Sequence, residues 1–329
     1  MKIFVTRKIP GEHLDKLIAA GYDVDVSIFD RSLLPEELIQ KVKGTDAIIS
    51  LLTDKIDGTV MDAAGATLKI IANYAVGADN IEVRGATDRG IVVTNTSSAE
   101  VDEAVAEHTW ALILCLSRRI IEADEAVRRG AYRGWEPDIF LGRNVVGKIL
   151  GIIGLGKIGT SVAKRAKGYN MNVLYNKHQA DPEKEQQFGI KFASLDELLA
   201  NSDFITLHVP LTDETRHMIN AATLAKTKKG AFLVNTARGA VVEECALVES
   251  LRSGHLAGAA LDVFENEPTI HPELINMQNV ITTPHVASAT YEARDKMSQQ
   301  VVEAVLDCLA GKMPENIVNK DVWEKRRRG

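Results

Sequence analysis

Four short segments of this chain carry residue types that could do chemistry together. The first is Gly154-Leu155-Gly156-Lys157-Ile158-Gly159. It follows the apolar run Ile149–Ile153 directly and opens a helical pattern from Ile158 to Lys167. A GxGxxG run alone is weak evidence, but at a strand–helix junction it is the dinucleotide fingerprint. Gly154 allows the tight turn. Gly156, lacking a Cβ, lets the backbone approach a pyrophosphate, and Gly159 lets helix and strand pack closely. The helix start then offers N–H groups and a partial positive charge to the phosphates.

The other three segments are Asn235-Thr236-Ala237-Arg238-Gly239, Phe264-Glu265-Asn266-Glu267-Pro268 and Thr283-Pro284-His285. Each follows a short apolar run that reads as a strand, and ligands bind at the carboxyl ends of strands in open α/β sheets. A guanidinium at Arg238 suits a substrate carboxylate held in bidentate fashion and can polarise the adjacent carbonyl. Imidazole titrates near neutral pH, so His285 can give or take a proton. A carboxylate on its other nitrogen would fix the tautomer, and Glu267 or Glu265 could serve. Singly, each residue has a bland reading: a surface ion pair for the arginine, a solvated carboxylate, a structural histidine. At successive strand ends beside a dinucleotide turn, the set outweighs those readings.

Elements must exist to position these groups, and the sequence supplies them. Strands are expected at Ile3–Thr6, Val24–Ser27, Ala47–Leu51, Ile70–Asn73 and Ile91–Asn95, with helices such as Leu34–Val42 and Thr59–Ala66 between them. A second series is expected at Ile149–Ile153, Asn172–Tyr175, Phe204–Val209, Phe232–Asn235, Ala259–Val263 and Val280–Thr283, with helices at Leu195–Ala200 and Glu243–Ser253. Such alternation means βαβ units and parallel sheets. One long helix is expected over about Ala99–Arg129, and a last one over about Tyr291–Leu309. These two flank the second series. The fold class is therefore α/β with two doubly wound domains, a Rossmann cofactor domain of residues 99–287 inserted into a discontinuous, flavodoxin-like substrate domain of residues 1–98 and 288–329. A cleft between the lobes is expected to hold the chemistry.

Bulk properties exclude several other classes. A chain of 329 residues is long for a single core. Its formal net charge of -6 argues against nucleic acid as a partner. The basic cluster Lys325 to Arg328 reads as a solvated, frayed tail. Cys115, Cys245 and Cys308 are far apart, show no disulfide or metal spacing, and read as buried, reduced thiols. The longest apolar run, Trp110–Leu116, cannot span a bilayer. The expectation is a cytoplasmic protein with no metal and no membrane partner.

The strand after the glycine turn bears on which nicotinamide cofactor is bound. NAD specificity calls for an acidic residue there, on the ribose 2′-hydroxyl. Here Asn176-Lys177-His178 follows Tyr175, and Lys177 occupies the expected place. A cation suits the 2′-phosphate, so NADP(H) is favoured, with NAD(H) still allowed. Leu52, Tyr74 and Trp135 are candidates to shape a substrate pocket.

With these residues in hand, the chain resembles the D-isomer-specific 2-hydroxyacid dehydrogenases, and within them the glyoxylate/hydroxypyruvate reductases. The resemblance runs from about Ser50 to Asn319 and is carried by Ala72–Ile81, Gly154–Gly159, Val234–Gly239, Leu261–Pro268 and Thr283–Thr290, with Phe140-Leu141-Gly142. It implies hydride transfer between NADP(H) or NAD(H) and a small 2-keto or 2-hydroxy acid. It implies a triad: Arg238 for the substrate, Glu267, and His285 as acid–base. It implies that Asp262 receives the nicotinamide carboxamide and that backbone N–H groups of Val76 and Gly77 take the substrate carboxylate. Leu52 would wall the pocket. Asn176, Lys177, His178, Val209, Pro210, Thr215, Thr236, Ala237, Arg238, Asp262, His285 and Ala287 would join the glycine turn in contacting cofactor, and His285 would also contact the substrate. Ala287 stands where the family commonly has glycine, and would narrow the space beside the nicotinamide. The family dimerises through its long interdomain helix, here the Ala99–Arg129 region. Other members act on D-lactate or phosphoglycerate. Phosphite dehydrogenases carry lysine where Val76 stands, and phosphoglycerate dehydrogenases carry extra regulatory sequence. A non-enzymatic, NAD(H)-sensing corepressor shares the fold, but the complete triad favours an enzyme.

Overall fold

The computed structural model describes residues 1–327. The chain divides into two compact units: Met1–Val101 joined by the segment from Ala289 onward, and Asp102–Ser288. Each unit is built on one parallel sheet.

The first unit holds β1 (Lys2–Val5), β2 (Asp23–Val26), β3 (Ala47–Leu51), β4 (Ile70–Tyr74) and β5 (Val92–Thr94) in the order β2-β1-β3-β4-β5. Successive side chains on a strand point to opposite faces. Phe4, Ile48, Ile71 and Val93 accordingly share one core layer with Leu38, Val60 and Met61 from covering helices. The closing helix Tyr291–Leu309 packs against β4 and buries Met297, Val301, Val302 and Val305. Strand order reverses between β1 and β3, and the turns after Val5 and Leu51 lie at that reversal.

The second unit holds β6 (Ile149–Ile153), β7 (Asn172–Asn176), β8 (Lys191–Phe192), β9 (Phe204–Leu207), β10 (Phe232–Asn235), β11 (Gly258–Leu261) and β12 (Val280–Thr282). Their order is β12-β11-β10-β9-β6-β7-β8, all parallel. Leu150, Ile152, Phe204, Val234 and Ala260 feed one core layer; Ile153, Ile205, Leu207, Leu233 and Leu261 feed the other. That alternation of wholly apolar positions is what a sheet covered on both faces requires. The two-residue edge strand β8 is too short to leave a periodic signal in the sequence.

Three expectations need correction. The helix expected over Ala99–Arg129 is two helices, Ala99–Arg118 and Ile120–Arg128. Arg119 between them adopts φ 55°, a left-handed conformation that no helix continues through. Its guanidinium bonds Glu122 at 2.6 Å, and hydrophobic periodicity is blind to such a break. The basic tail is not frayed through Arg327, whose backbone N–H donates to Gly90 and whose guanidinium donates to the carbonyls of Gly65, Leu68 and Arg89. Arg328 lies outside the described residues. The thiols are not uniformly buried: Cys308 is buried, Cys115 is half-buried and Cys245 is exposed.

Candidate active site

In the second unit, strand order reverses between β7 and β9, on either side of β6. The glycine turn leaves β6 at that point. Gly154 has φ 97°, and a Cβ there would lie 2.6 Å from the His208 carbonyl oxygen. At Gly159 a Cβ would lie 2.1 Å from the Gly154 carbonyl, so the helix Lys157–Ala166 is packed onto the turn as closely as backbone allows. Gly156 is different: a Cβ there would meet no heavy atom within 4 Å. It is the helix N-cap and supplies no side-chain cap. An open, uncapped helix start beside two sterically required glycines fits a pyrophosphate.

His208 follows the neighbouring strand, β9. Its Nε2 is buried without a hydrogen-bond partner, and burial holds its pKa down to about 3. The imidazole is thus neutral in the fold and takes a proton only on unfolding. A depressed folded-state pKa means that its contribution to stability is complete above about pH 6.5 and is lost as pH falls from there towards 3. Chemical denaturation at pH 7 and pH 5 should show a smaller loss of stability on acidification in His208→Gln than in the native chain. Equal losses in both would show that this histidine does not carry the effect.

The end of β7 is cationic. Lys177 Nζ lies 3.4 Å and Lys184 Nζ 3.6 Å from the Asp181 carboxylate. Lys184 Nζ also donates to the Leu155 carbonyl in the glycine turn, at 3.3 Å. Burial would raise the Asp181 carboxyl, but bonds from Lys184 and Lys177 hold it below the ordinary range. Lys177 was expected here from its place after the strand. Lys184 was not, because it reaches the turn from the next helix, Pro182–Phe188. Asn176 donates to the Ala193 carbonyl at 2.9 Å, an engagement with the edge of the sheet, and His178 is exposed.

After β10, the Asn235 side chain brackets its own turn. Its Oδ1 accepts from the Ala237 N–H at 3.0 Å and its Nδ2 donates to the Arg238 carbonyl at 2.9 Å. Arg238 Nη1 donates to the Ala237 carbonyl at 2.8 Å. Thr236 is buried and shares a 2.9 Å hydroxyl contact with Thr109. A Cβ on Gly239 would sit 1.8 Å from the Phe264 carbonyl carbon, so only glycine lets the Arg238 turn lie against the Phe264–Glu267 loop. Asn235 and Gly239 thereby set where Arg238 starts.

Two glutamates were open as partners of His285, and the structure separates them. Glu265 faces His217, 2.6 Å from its Nε2, and accepts from the Glu244 N–H. Glu267 Oε2 lies 2.9 Å from His285 Nδ1, while its Oε1 accepts from the Phe264 N–H at 3.0 Å. With Nδ1 on the carboxylate, Nε2 is the nitrogen left to exchange a proton. The pair is a quarter to a third exposed.

His285 also has φ 54°, a left-handed conformation that a side chain bearing a Cβ adopts only when its surroundings impose it. Asp262 imposes it. The His285 N–H donates to the Asp262 carbonyl at 2.8 Å. The Asp262 carboxylate accepts from Val286 N–H at 2.9 Å, Ala287 N–H at 2.8 Å and Thr283 hydroxyl at 2.6 Å. Burial would raise this carboxyl, but bonds from His108, Thr283 and the two N–H groups keep it below its ordinary value. Asp262 therefore clamps the turn that carries His285. The resemblance had given Asp262 only a role toward the nicotinamide carboxamide, with no sign of this clamp.

Other expected residues fall in several places. Val209 and Pro210 follow β9, and the Thr215 hydroxyl donates to the Pro210 carbonyl at 2.6 Å. Trp135 is 84% exposed on the second unit. Tyr74 is buried in the first unit, and its hydroxyl donates to the Arg294 carbonyl at 2.9 Å, tying β4 to the closing helix. Leu52 lies half-buried in the loop after β3, and Val76 and Gly77 lie in the loop after β4.

Comparison with known proteins agrees with this geometry. The model of the D-isomer specific 2-hydroxyacid dehydrogenase family, NAD binding domain, matches residues 110–287. The chain belongs to that family. The dehydrogenase is 45% identical over 332 residues to a glyoxylate reductase of Thermococcus onnurineus, covering 100% of this chain and 98% of that protein. A crystal structure from Thermus thermophilus superposes with a TM-score of 0.89 at 42% identity, covering 97% of this chain and 100% of that one. An acyclic imino acid reductase in complex with NADPH and D-Arg superposes with a TM-score of 0.85 at 31% identity, covering 97% of this chain and 100% of that one. The dehydrogenase is thus an oxidoreductase that uses a nicotinamide cofactor to reduce keto acids. Among the described residues no group of histidine, cysteine and carboxylate side chains could hold a metal, and no helix is long and apolar enough to cross a membrane.

Proposed function

We propose that this dehydrogenase reduces glyoxylate, and hydroxypyruvate as a near homologue, to the corresponding 2-hydroxy acid, of D configuration where the product is chiral. The observation that carries the reading is the Glu267–His285 pair at 2.9 Å on strand ends next to the Arg238 turn, in a chain 45% identical to a glyoxylate reductase. When bound, the reduced nicotinamide supplies a hydride to the carbonyl carbon. His285 Nε2 gives the proton to the carbonyl oxygen, and Glu267 on Nδ1 keeps that nitrogen aimed and stabilises the cationic ring. Arg238 binds the substrate carboxylate and offsets negative charge building on the oxygen. In the first unit, the reading assigns the backbone N–H groups of Val76 and Gly77 to a substrate carboxylate and makes Leu52 a wall of the pocket. The test is oxidation of NADPH and NADH with glyoxylate, hydroxypyruvate, pyruvate and phenylpyruvate. A kcat/KM higher for pyruvate or phenylpyruvate than for both smaller polar acids would overturn the substrate assignment.

NADPH is the favoured cofactor in this reading. Lys177 and Lys184 place two ammonium groups by one carboxylate at the end of β7, where a 2′-phosphate would displace Asp181 as their partner. Lys177→Ala should raise the Kd for NADPH about tenfold, the weight of one charge-assisted contact, while leaving that for NADH within about twofold. Fluorescence titration of both cofactors reads this directly, and a parallel change in the two would remove Lys177 from the assignment.

A homodimer through the two helices from Ala99 to Arg128 is part of the same proposal. Ile120 and Ile121 are 46% and 45% exposed and Val127 is 59% exposed on the second helix, apolar side chains that a second copy would cover. Light scattering on the purified chain should give twice the 35.9 kDa chain mass.

A further inference from the structure

We propose that Asn73 and Asn95 are positioning residues that aim the substrate-binding N–H groups of the loop after β4, and so set the preference for a carboxylate over a neutral group. The inference rests on the reading of Val76 and Gly77 as carboxylate ligands. Within the first unit, three consecutive carbonyls of this loop are all held from the side of β5 and β4. The Thr96 N–H donates to the Ala75 carbonyl at 2.9 Å. The Asn95 carboxamide donates to the Val76 carbonyl at 2.8 Å, and the Asn73 carboxamide donates to the Gly77 carbonyl at 2.9 Å.

A trans peptide is planar, with its C=O and N–H pointing in opposite directions. Each held carbonyl therefore turns the N–H of its own peptide away from the group that holds it: the Thr96 N–H sets that of Val76, Asn95 that of Gly77 and Asn73 that of Ala78. Among the described residues none of these three N–H groups donates to another group of the unit. Successive N–H groups presented together in this way make an anion-binding concavity.

Asn73 is itself held. Asn73 is fully buried and its Oδ1 accepts from Ser50 Oγ at 3.0 Å. Asn73 and Asn80 exchange carboxamide hydrogen bonds at 2.9 and 3.2 Å. Asn80 also donates to the carbonyls of Leu51 and Asp54, at 3.1 and 3.0 Å. The network thus joins the Leu52 loop to the Val76 loop. A buried carboxamide network that is fully engaged is rigid, and rigidity is what a preorganised anion site requires.

The experiment compares glyoxylate with its uncharged methyl ester, using the full chain with NADPH. The native enzyme should prefer the acid in kcat/KM. Asn95→Ala should shrink that preference about tenfold through KM, with kcat within about twofold and the NADPH Kd unchanged. A general loss of folding would lower both substrates together and leave the ratio alone. Asn73→Ser is a second, independent variant with the same expected direction, and retains a small hydrogen-bonding side chain in the buried site. A ratio kept at its native value in both variants overturns the positioning role and leaves the carboxylate reading intact. A native enzyme with no preference for the acid overturns that reading and the inference with it.

Discussion

Replacing His285 by alanine is expected to cut turnover by about 10²–10⁴-fold while leaving the Kd for NADPH unchanged, because the imidazole is the proposed proton donor and not a structural support of the glycine turn. The geometry separates the two functions. The turn at Gly154–Gly159 is built from backbone contacts at the end of β6, whereas His285 follows β12, at the far edge of the sheet order. Glu267→Gln should give a smaller loss than His285→Ala, since the amide oxygen can still accept from Nδ1 at the observed 2.9 Å spacing but no longer stabilises the imidazolium. Steady-state assays with a saturating keto acid, set beside fluorescence titration of the cofactor, read both quantities. Near-native turnover in His285→Ala would remove the acid–base assignment altogether.

Arg238→Lys carries the second large effect. Lysine keeps the charge but lacks the planar fork that holds a carboxylate with two parallel bonds. The loss is expected at about 10²-fold or more in kcat/KM for glyoxylate, with both KM and kcat affected, because in the proposed mechanism the guanidinium also offsets charge developing on the carbonyl oxygen. The surrounding turn makes the test clean. Asn235 fixes it through both the Ala237 N–H and the Arg238 carbonyl, and Gly239 is seated against Phe264, so the lysine stem should leave the backbone in place. An unchanged melting temperature together with the kinetic loss would locate the effect at the guanidinium. Native kcat/KM in Arg238→Lys would mean that the substrate carboxylate is bound elsewhere.

Much of this molecule was legible in one dimension. Alternating apolar and amphipathic segments set out two parallel sheets, since a strand buried on both faces must be apolar throughout and the helices that cover it must be amphipathic. The glycine turn was readable because each of its three glycines answers a local steric demand. Arg238, Glu267 and His285 were readable as groups at strand ends, where this architecture collects ligands.

What the sequence could not show has a common physical origin: it depends on which atoms meet across the sheet. Hydrophobic period carries no sign of the left-handed residue at Arg119 that divides one helix into two. Composition placed Arg327 in a solvated tail, and only the proximity of the carbonyls of Gly65, Leu68, Arg89 and Gly90 explains why it is held. By residue type alone Glu265 and Glu267 are equivalent; the family resemblance pointed to Glu267, and the fold puts His217 against Glu265 and His285 against Glu267. Lys184 is seven residues beyond Lys177, yet the turn into the following helix brings both to Asp181. Residue types and spacing determined which chemistry was available to this chain. The tertiary structure decided which carboxylate holds the histidine, which acid clamps its turn, and which two asparagines fix the carbonyls of Val76 and Gly77, because those are matters of direction that a linear order of residues does not contain.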